Sequence, residues 1–155
     1  MDQAGIIVST EEIRRLKSRY FRAIDLKDGT LLRSLFTDDV SINLIGAATD
    51  PVSGLNLLPG STAGILVGLE NVMIAYLESL NGLVSVHHGH MGEINIIDAD
   101  HAEGIWAMAD YLRFSNGPIR GLTGYGHYHD TFQRVGNDWK IRTLRLDRIR
   151  VDIER

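Results

Sequence analysis

The stretches Ala102–Phe114 (AEGIWAMADYLRF), Ile119–Val135 (IRGLTGYGHYHDTFQRV) and Trp139–Ile153 (WKIRTLRLDRIRVDI) decide the fold. Each is a long run of β-branched, aromatic and alternating polar residues. Only Asn116-Gly117-Pro118 and Gly136-Asn137-Asp138 divide them, and a fourth run, Leu83–Ile97, precedes them across Asp98-Ala99-Asp100. Long alternating strands joined by short turn-forming segments predict an antiparallel meander. Gly89, Gly92, Gly104, Gly121, Gly124 and Gly126 fall inside these strands, where a strongly curved sheet needs bends or bulges.

Upstream the period changes. Ser9-Thr10-Glu11-Glu12 reads as a capping box, with Val8 and Ile13 as its apolar staple. Ile13, Leu16, Tyr20 and Ile24 follow at helical spacing, and Phe21 widens the apolar face. Asp28-Gly29 closes this helix. A second, Thr30–Phe36, ends at Thr37-Asp38-Asp39, and a third, Glu70–Leu80, ends at Asn81-Gly82. Short strands are expected at Val40–Leu44 and Gly64–Val67. Between them Ala47–Ser61, with Asp50-Pro51 and Pro59-Gly60, reads as a long loop, a length that often serves as a lid or binding segment. Helices first and a bent meander afterwards predict one α+β domain over residues 1–155, with the helices on one face of the sheet.

Composition narrows the classes. In 155 residues, 44% are hydrophobic and the net charge is −4, which offers no general attraction to nucleic acid or acidic membranes. With no cysteine, disulfides, thiolate metal sites and a cysteine nucleophile are excluded. Met1–Ser9 lacks the basic start and apolar run of a secretion signal, and no apolar stretch approaches the ~20 residues of a membrane-spanning helix. A soluble cytoplasmic protein is the expectation.

Six histidines are the first candidates for chemistry. Strand alternation puts His88 and His90 on one face of the sheet and His87 on the other. His127 and His129 share a face with Tyr125 and are candidates to line a pocket. Without an HExxH helix or an acidic loop, no metal is expected. Two acids stand in apolar settings. Asp25 lies near a helix C-terminus, where the dipole disfavours it. Asp110 shares a strand face with Trp106 and Met108, where a carboxylate needs a partner. Tyr20 faces the core, and its hydroxyl needs a partner as well.

Taken together, Ile13–Asp25, Leu35-Phe36-Thr37-Asp38-Asp39-Val40, Val86-His87-His88-Gly89-His90-Met91, Gly124–Asp130 and Asp138-Trp139-Lys140-Ile141 resemble the SnoaL-like family of the nuclear transport factor 2-like superfamily over nearly the whole chain. The resemblance implies a cone-shaped, curved, mainly antiparallel sheet wrapped around the three helices, enclosing a pocket for a small hydrophobic molecule. Within the superfamily the pattern is similar to bile acid 7α-dehydratases, scytalone dehydratases and hexachlorocyclohexane dehydrochlorinases. Their helix-borne aspartate and strand histidine fall on Asp25 and His87, and the tyrosine and second aspartate of the bile acid enzymes fall on Tyr20 and Asp110. The 47–61 loop departs from that spacing.

The implied activity is a cofactor-independent lyase, a dehydratase acting on a polyketide-, steroid- or aromatic-type substrate. His87 would take the proton, Asp25 would orient it, Tyr20 would stabilise developing negative charge, and Asp110 would serve as acid or anchor. Phe21, Met73, Tyr76, Trp106 and Met108 would supply apolar walls. An isomerase or cyclase, a non-catalytic ligand-binding or interaction protein, and the small subunit of a ring-hydroxylating oxygenase are the alternatives. The last strand carries Lys140, Arg142, Arg148 and Arg150 on one parity, read as a solvated or interface face. Ile141, Ile149, Val151 and Ile153 on the other parity suggest a face closed by a second copy, in line with the dimers or trimers of the resembling enzymes.

Overall fold

A computed structural model of the chain describes residues 2–57 and 64–155. The elements run α1 (Gln3–Leu26), α2 (Gly29–Ser34), β1 (Phe36–Asn43), β2 (Ile65–Val67), α3 (Leu69–Ser79), β3 (Leu83–Gly89), β4 (Glu93–Ile96), β5 (His101–Phe114), β6 (Gly121–Val135) and β7 (Asp138–Glu154). The strands form one open sheet in the order β2-β1-β7-β6-β5-β3, with β4 also on β5. All pairings are antiparallel except that of β1 with β7. The α+β class and the curved, antiparallel-dominated sheet with helices of the N-terminal half packed against it are as the sequence predicts.

Several boundaries differ, each for a local reason. α1 begins at Gln3, because the Asp2 side chain accepts from the Gly5 amide at 2.8 Å. Ser9 therefore lies within the helix, where its hydroxyl accepts from Arg134 at 3.0 Å, and Val8 is exposed. At the other end Lys27 adopts a left-handed conformation (φ 57°) and stops the helix, while Asp28 caps α2 by accepting from Leu31. β1 starts at Phe36, where the residue expected to end α2 instead pairs with Ile141 of β7. The expected strand Leu83–Ile97 is interrupted at 90–92, and both halves lie along β5. At this break a Cβ on Gly92 would come within 2.3 Å of the Trp106 indole. The described part of the 47–61 loop consists of turns and a Thr49–Asn56 bridge. Its residues 58–61 lie outside the described residues.

β7 departs most from simple alternation. Thr143 faces Thr131 but Ile141 faces Phe132, so Arg142 is an extra residue. Arg148 faces Gly126 but Arg150 faces Tyr125, so Ile149 is a second. Each bulge reverses the inward parity. Ile141 is inward, then Leu144, Leu146 and Arg148, and then Val151 and Ile153 pack towards the core while Ile149 is exposed. Arg148 thus leaves the expected basic surface row and is buried. Ile141, expected on an open face, is fully in the core.

The core lies between the sheet and α1 and α3, built from Ile13, Leu16, Tyr20, Ile24, Val72, Met73, Trp106, Phe132, Ile141 and Leu144. One ion pair is sealed inside it. Lys17 Nζ donates to Asp130 at 2.5 Å, with the two side chains only 1% and 0% exposed. The ammonium also sits over the ring of Tyr128 at 3.8 Å and that of Tyr20 at 4.5 Å. Burial pulls the Lys17 ammonium below its usual range and pushes the Asp130 carboxyl up, and each partner's charge opposes the other's shift.

Candidate active site

β3 is an end strand of the sheet, so half of its amides face away from β5. The last turn of α1 meets that edge and places Asp25 against it. The Asp25 carboxylate accepts from the backbone N–H of His87 at 2.9 Å and the hydroxyl of Ser85 at 2.9 Å, and it lies 2.6 Å from Nδ1 of the His87 ring. This answers why an acid is tolerated near a helix C-terminus. Burial alone would raise the Asp25 carboxyl, but the hydrogen bonds from His87 and Ser85 outweigh it and hold the group below its ordinary range. An ionised carboxylate only accepts, so Nδ1 carries a proton, and in the neutral ring Nε2 keeps its lone pair.

A pH signature follows. Because Asp25 binds its proton less readily folded than unfolded, its contribution to stability is complete above the unfolded value of about 3.9 and is lost as pH falls through the lower folded value. The gap in unfolding midpoint between the wild type and Asp25→Asn should therefore narrow below about pH 4. Denaturant titrations at a series of pH values check this, and a gap that widens on acidification would contradict it.

His87 opens onto a cavity of about 540 Å³. Its walls are largely apolar, with Ile24, Leu44, Leu57, Leu80, Leu112 and Leu146 among the lining residues, and residues 116–119 and the end of α3 line it as well. Besides the exposed Glu78, Ser79 and Asn116, five further polar side chains line it. The hydroxyls of Tyr20 and Tyr76 are hydrogen-bonded to each other at 2.7 Å, and burial pushes both phenols above their usual range, so both stay protonated. Asp110, opposite His87 in the β3–β5 register, is clamped by Arg148, whose Nη1 and Nη2 donate to its two oxygens at 2.8 and 2.6 Å. Arg148 Nε also donates to the Ala47 carbonyl at 2.8 Å and so ties the loop wall to the sheet. Gly124 makes the clamp possible, since a Cβ there would lie 1.6 Å from Arg148 Nη1. The fifth group is Tyr128.

Of the residues expected at the site, the structure brings Tyr20, Asp25, His87, Asp110 and Tyr76 to one place. Asp110 accepts with both oxygens from a guanidinium, an arrangement suited to anchoring and not to giving a proton. Phe21, Met73, Trp106 and Met108 are buried but do not line this cavity among the described residues. Phe21 instead stacks on the His87 ring, with centroids 6.4 Å apart and planes 12° from parallel. His127 and His129 point to the opposite face, because the inward set of β6 is Leu122, Gly124, Gly126, Tyr128, Asp130 and Phe132. There His129 lies 3.7 Å from Asp147. His88 is also on the outer face, edge-on to Tyr111. Among the described residues no cluster of three histidine or acidic side chains is placed to hold a metal ion, and no helix is long and apolar enough to cross a membrane.

Sequence reasoning missed Ser85, Arg148, Tyr128 and the Lys17–Asp130 pair. Ser85 shares the parity of His87, which was a usable signal. Arg148 was hidden by the bulges, and Lys17 by resembling any polar residue of an amphipathic helix.

Residues 7–145 match the SnoaL-like domain. A probable cyclase of Gibberella zeae is 32% identical over 79 residues, covering 49% of this chain and 52% of that protein, so the chain spans about half the length of this curated relative. A candidate scytalone dehydratase of Novosphingobium aromaticivorans superimposes with a TM-score of 0.76 at 18% identity, over 97% of this chain and 91% of that one. A hexachlorocyclohexane dehydrochlorinase of Novosphingobium barchaimii gives 0.72 at 17% identity, over 98% and 94%. At such identities these two structures share the fold.

Proposed function

We propose that this chain, which belongs to the SnoaL-like domain family, is a small-molecule lyase that removes water from a hydrophobic hydroxy-ketone without a cofactor. The observation that carries the reading is the Asp25–His87 pair, 2.6 Å apart at the wall of an apolar cavity.

In the proposed reaction, Nε2 of His87 takes a proton from the carbon next to the substrate carbonyl. The C–H electrons move towards the carbonyl oxygen, where a hydroxyl of the Tyr20–Tyr76 pair donates to the developing enolate. Asp25 stabilises the imidazolium through Nδ1–H and keeps the ring oriented. As the enolate re-forms its carbonyl, the C–O bond to the neighbouring hydroxyl breaks and a carbon–carbon double bond forms. The imidazolium returns its proton to the departing oxygen, so water leaves and His87 is neutral again. The apolar walls exclude bulk water and strengthen each of these interactions. The Asp110–Arg148 clamp is assigned to shaping the polar end, with its guanidinium charge already balanced. Ring closure through the same enolate is the second reading, favoured by the relative described as a probable cyclase.

A suitable probe is 3-hydroxy-1-tetralone, whose dehydration gives fluorescent 1-naphthol. Enzyme-dependent naphthol release, accompanied in D₂O by exchange of the proton next to the carbonyl, is expected. Neither release nor exchange above the His87→Ala background, across a panel of cyclic 3-hydroxy-ketones, would overturn the reading.

A further inference from the structure

Tyr128 is a buried polar group of the pocket that the proposed reaction leaves unused. It is 3% exposed and lines the cavity, yet among the described residues its hydroxyl has no hydrogen-bond partner and is not sealed away from the cavity. A phenol in such a place costs free energy unless something that enters the cavity satisfies it. Its neighbour Tyr20 differs in this respect, since that hydroxyl is already bonded to Tyr76.

The ring of Tyr128 is held on several sides. Lys17 Nζ lies 3.8 Å from its centroid, Phe21 packs at 5.7 Å, and Tyr20 stands edge-on at 6.0 Å. Lys17 is fixed in turn by Asp130, two residues further along the same strand face. A cation over the ring withdraws electron density and makes the hydroxyl a better donor. Burial also pushes the phenol well above its usual range, so the donor is present at any working pH. Beyond Tyr128 on the inward face of β6 come Gly126, where a Cβ would meet the Asp147–Arg148 backbone, and Gly124, over which the Asp110–Arg148 clamp lies. A ligand in the cavity meets both Tyr128 and the Asp110–Arg148 clamp, since all three side chains line it.

We propose that Tyr128 is a specificity-determining residue that donates a hydrogen bond to a second oxygen of the substrate, one distinct from the carbonyl facing Tyr20 and Tyr76. The substrate is accordingly a neutral ring ketone bearing a further hydroxyl or carbonyl group. This rests on the cavity being the substrate site, but its test needs no turnover, so it can fail while the elimination reading stands, and the reverse.

The probes are 2-acetylnaphthalene and 6-acetyl-2-naphthol, which share a ketone and differ by one ring hydroxyl. Equilibrium titration of the wild type is expected to favour the naphthol by about three- to tenfold, the range of one net neutral hydrogen bond. Tyr128→Phe keeps the ring over Lys17, so it should leave the affinity for 2-acetylnaphthalene within about twofold and abolish the preference. Tyr20→Phe should weaken both probes alike. A wild type that does not distinguish the probes, or a preference that survives in Tyr128→Phe, overturns the proposal.

Discussion

Replacing His87 with alanine is expected to lower turnover by about two to four orders of magnitude, the contribution typical of a positioned general base. Among the described residues no other histidine lines the cavity. The Asp25 carboxylate is engaged by His87 and Ser85, and that of Asp110 by Arg148. Neither engaged carboxylate is free to take over the proton, and Glu78, which also lines the cavity, is exposed at the end of α3. Asp25→Asn should fall in the same range for a different reason. An amide at position 25 can donate to Nδ1, which would move the ring proton to Nε2 and turn the base round. Both variants should lower kcat and kcat/KM together, since the interaction they remove develops only in the transition state. Steady-state rates with 3-hydroxy-1-tetralone decide it. A His87→Ala protein that keeps more than about a tenth of wild-type turnover would remove His87 from the mechanism.

Lys17→Ala should carry the largest cost in stability, about 3–5 kcal/mol, because it strands the Asp130 carboxylate in the core. One oxygen of that carboxylate already lacks a partner among the described residues, so the remaining one would lose its only ammonium. Since small domains are stable by only about 5–15 kcal/mol in total, the variant will be marginal or unfolded. The informative partner is the double replacement Lys17→Met with Asp130→Leu, which removes both charges and keeps the volume filled. It should recover most of the loss. Urea unfolding of the wild type, both single variants and the double variant closes the cycle. A double variant as unstable as Lys17→Ala would mean that packing of the lysine stem, not charge, is what the core requires.

Where the sequence was legible, short-range signals were strong. The meander could be read because Asn116-Gly117-Pro118 and Gly136-Asn137-Asp138 are turn formers between alternating runs. The start of α1 could not, because the Ser9 box and the Asp2 cap are both acceptable locally and only the contact of Ser9 with Arg134, 125 residues away, separates them. The same holds for the site. Tyr20, Asp25, His87 and Asp110 were found through family resemblance and unusual settings, not through periodicity. Arg148 was out of reach, since its inward direction depends on two bulges set by pairing with β6. His127 and His129 misled because alternation groups residues by face without saying which face is inside.

The bulges at Arg142 and Ile149 carry a consequence for comparing this chain with its relatives. A homologue one residue shorter in the last strand would not merely be trimmed there. It would be out of phase with this chain until the next compensating gap, and an ungapped alignment would then set a pocket arginine opposite a surface position. Identity scores through this strand can therefore be low between proteins with superimposable sites, or respectable between proteins whose sites differ. Gaps placed at 142 and 149 are the proper frame for asking which relatives share the guanidinium that lies across Gly124.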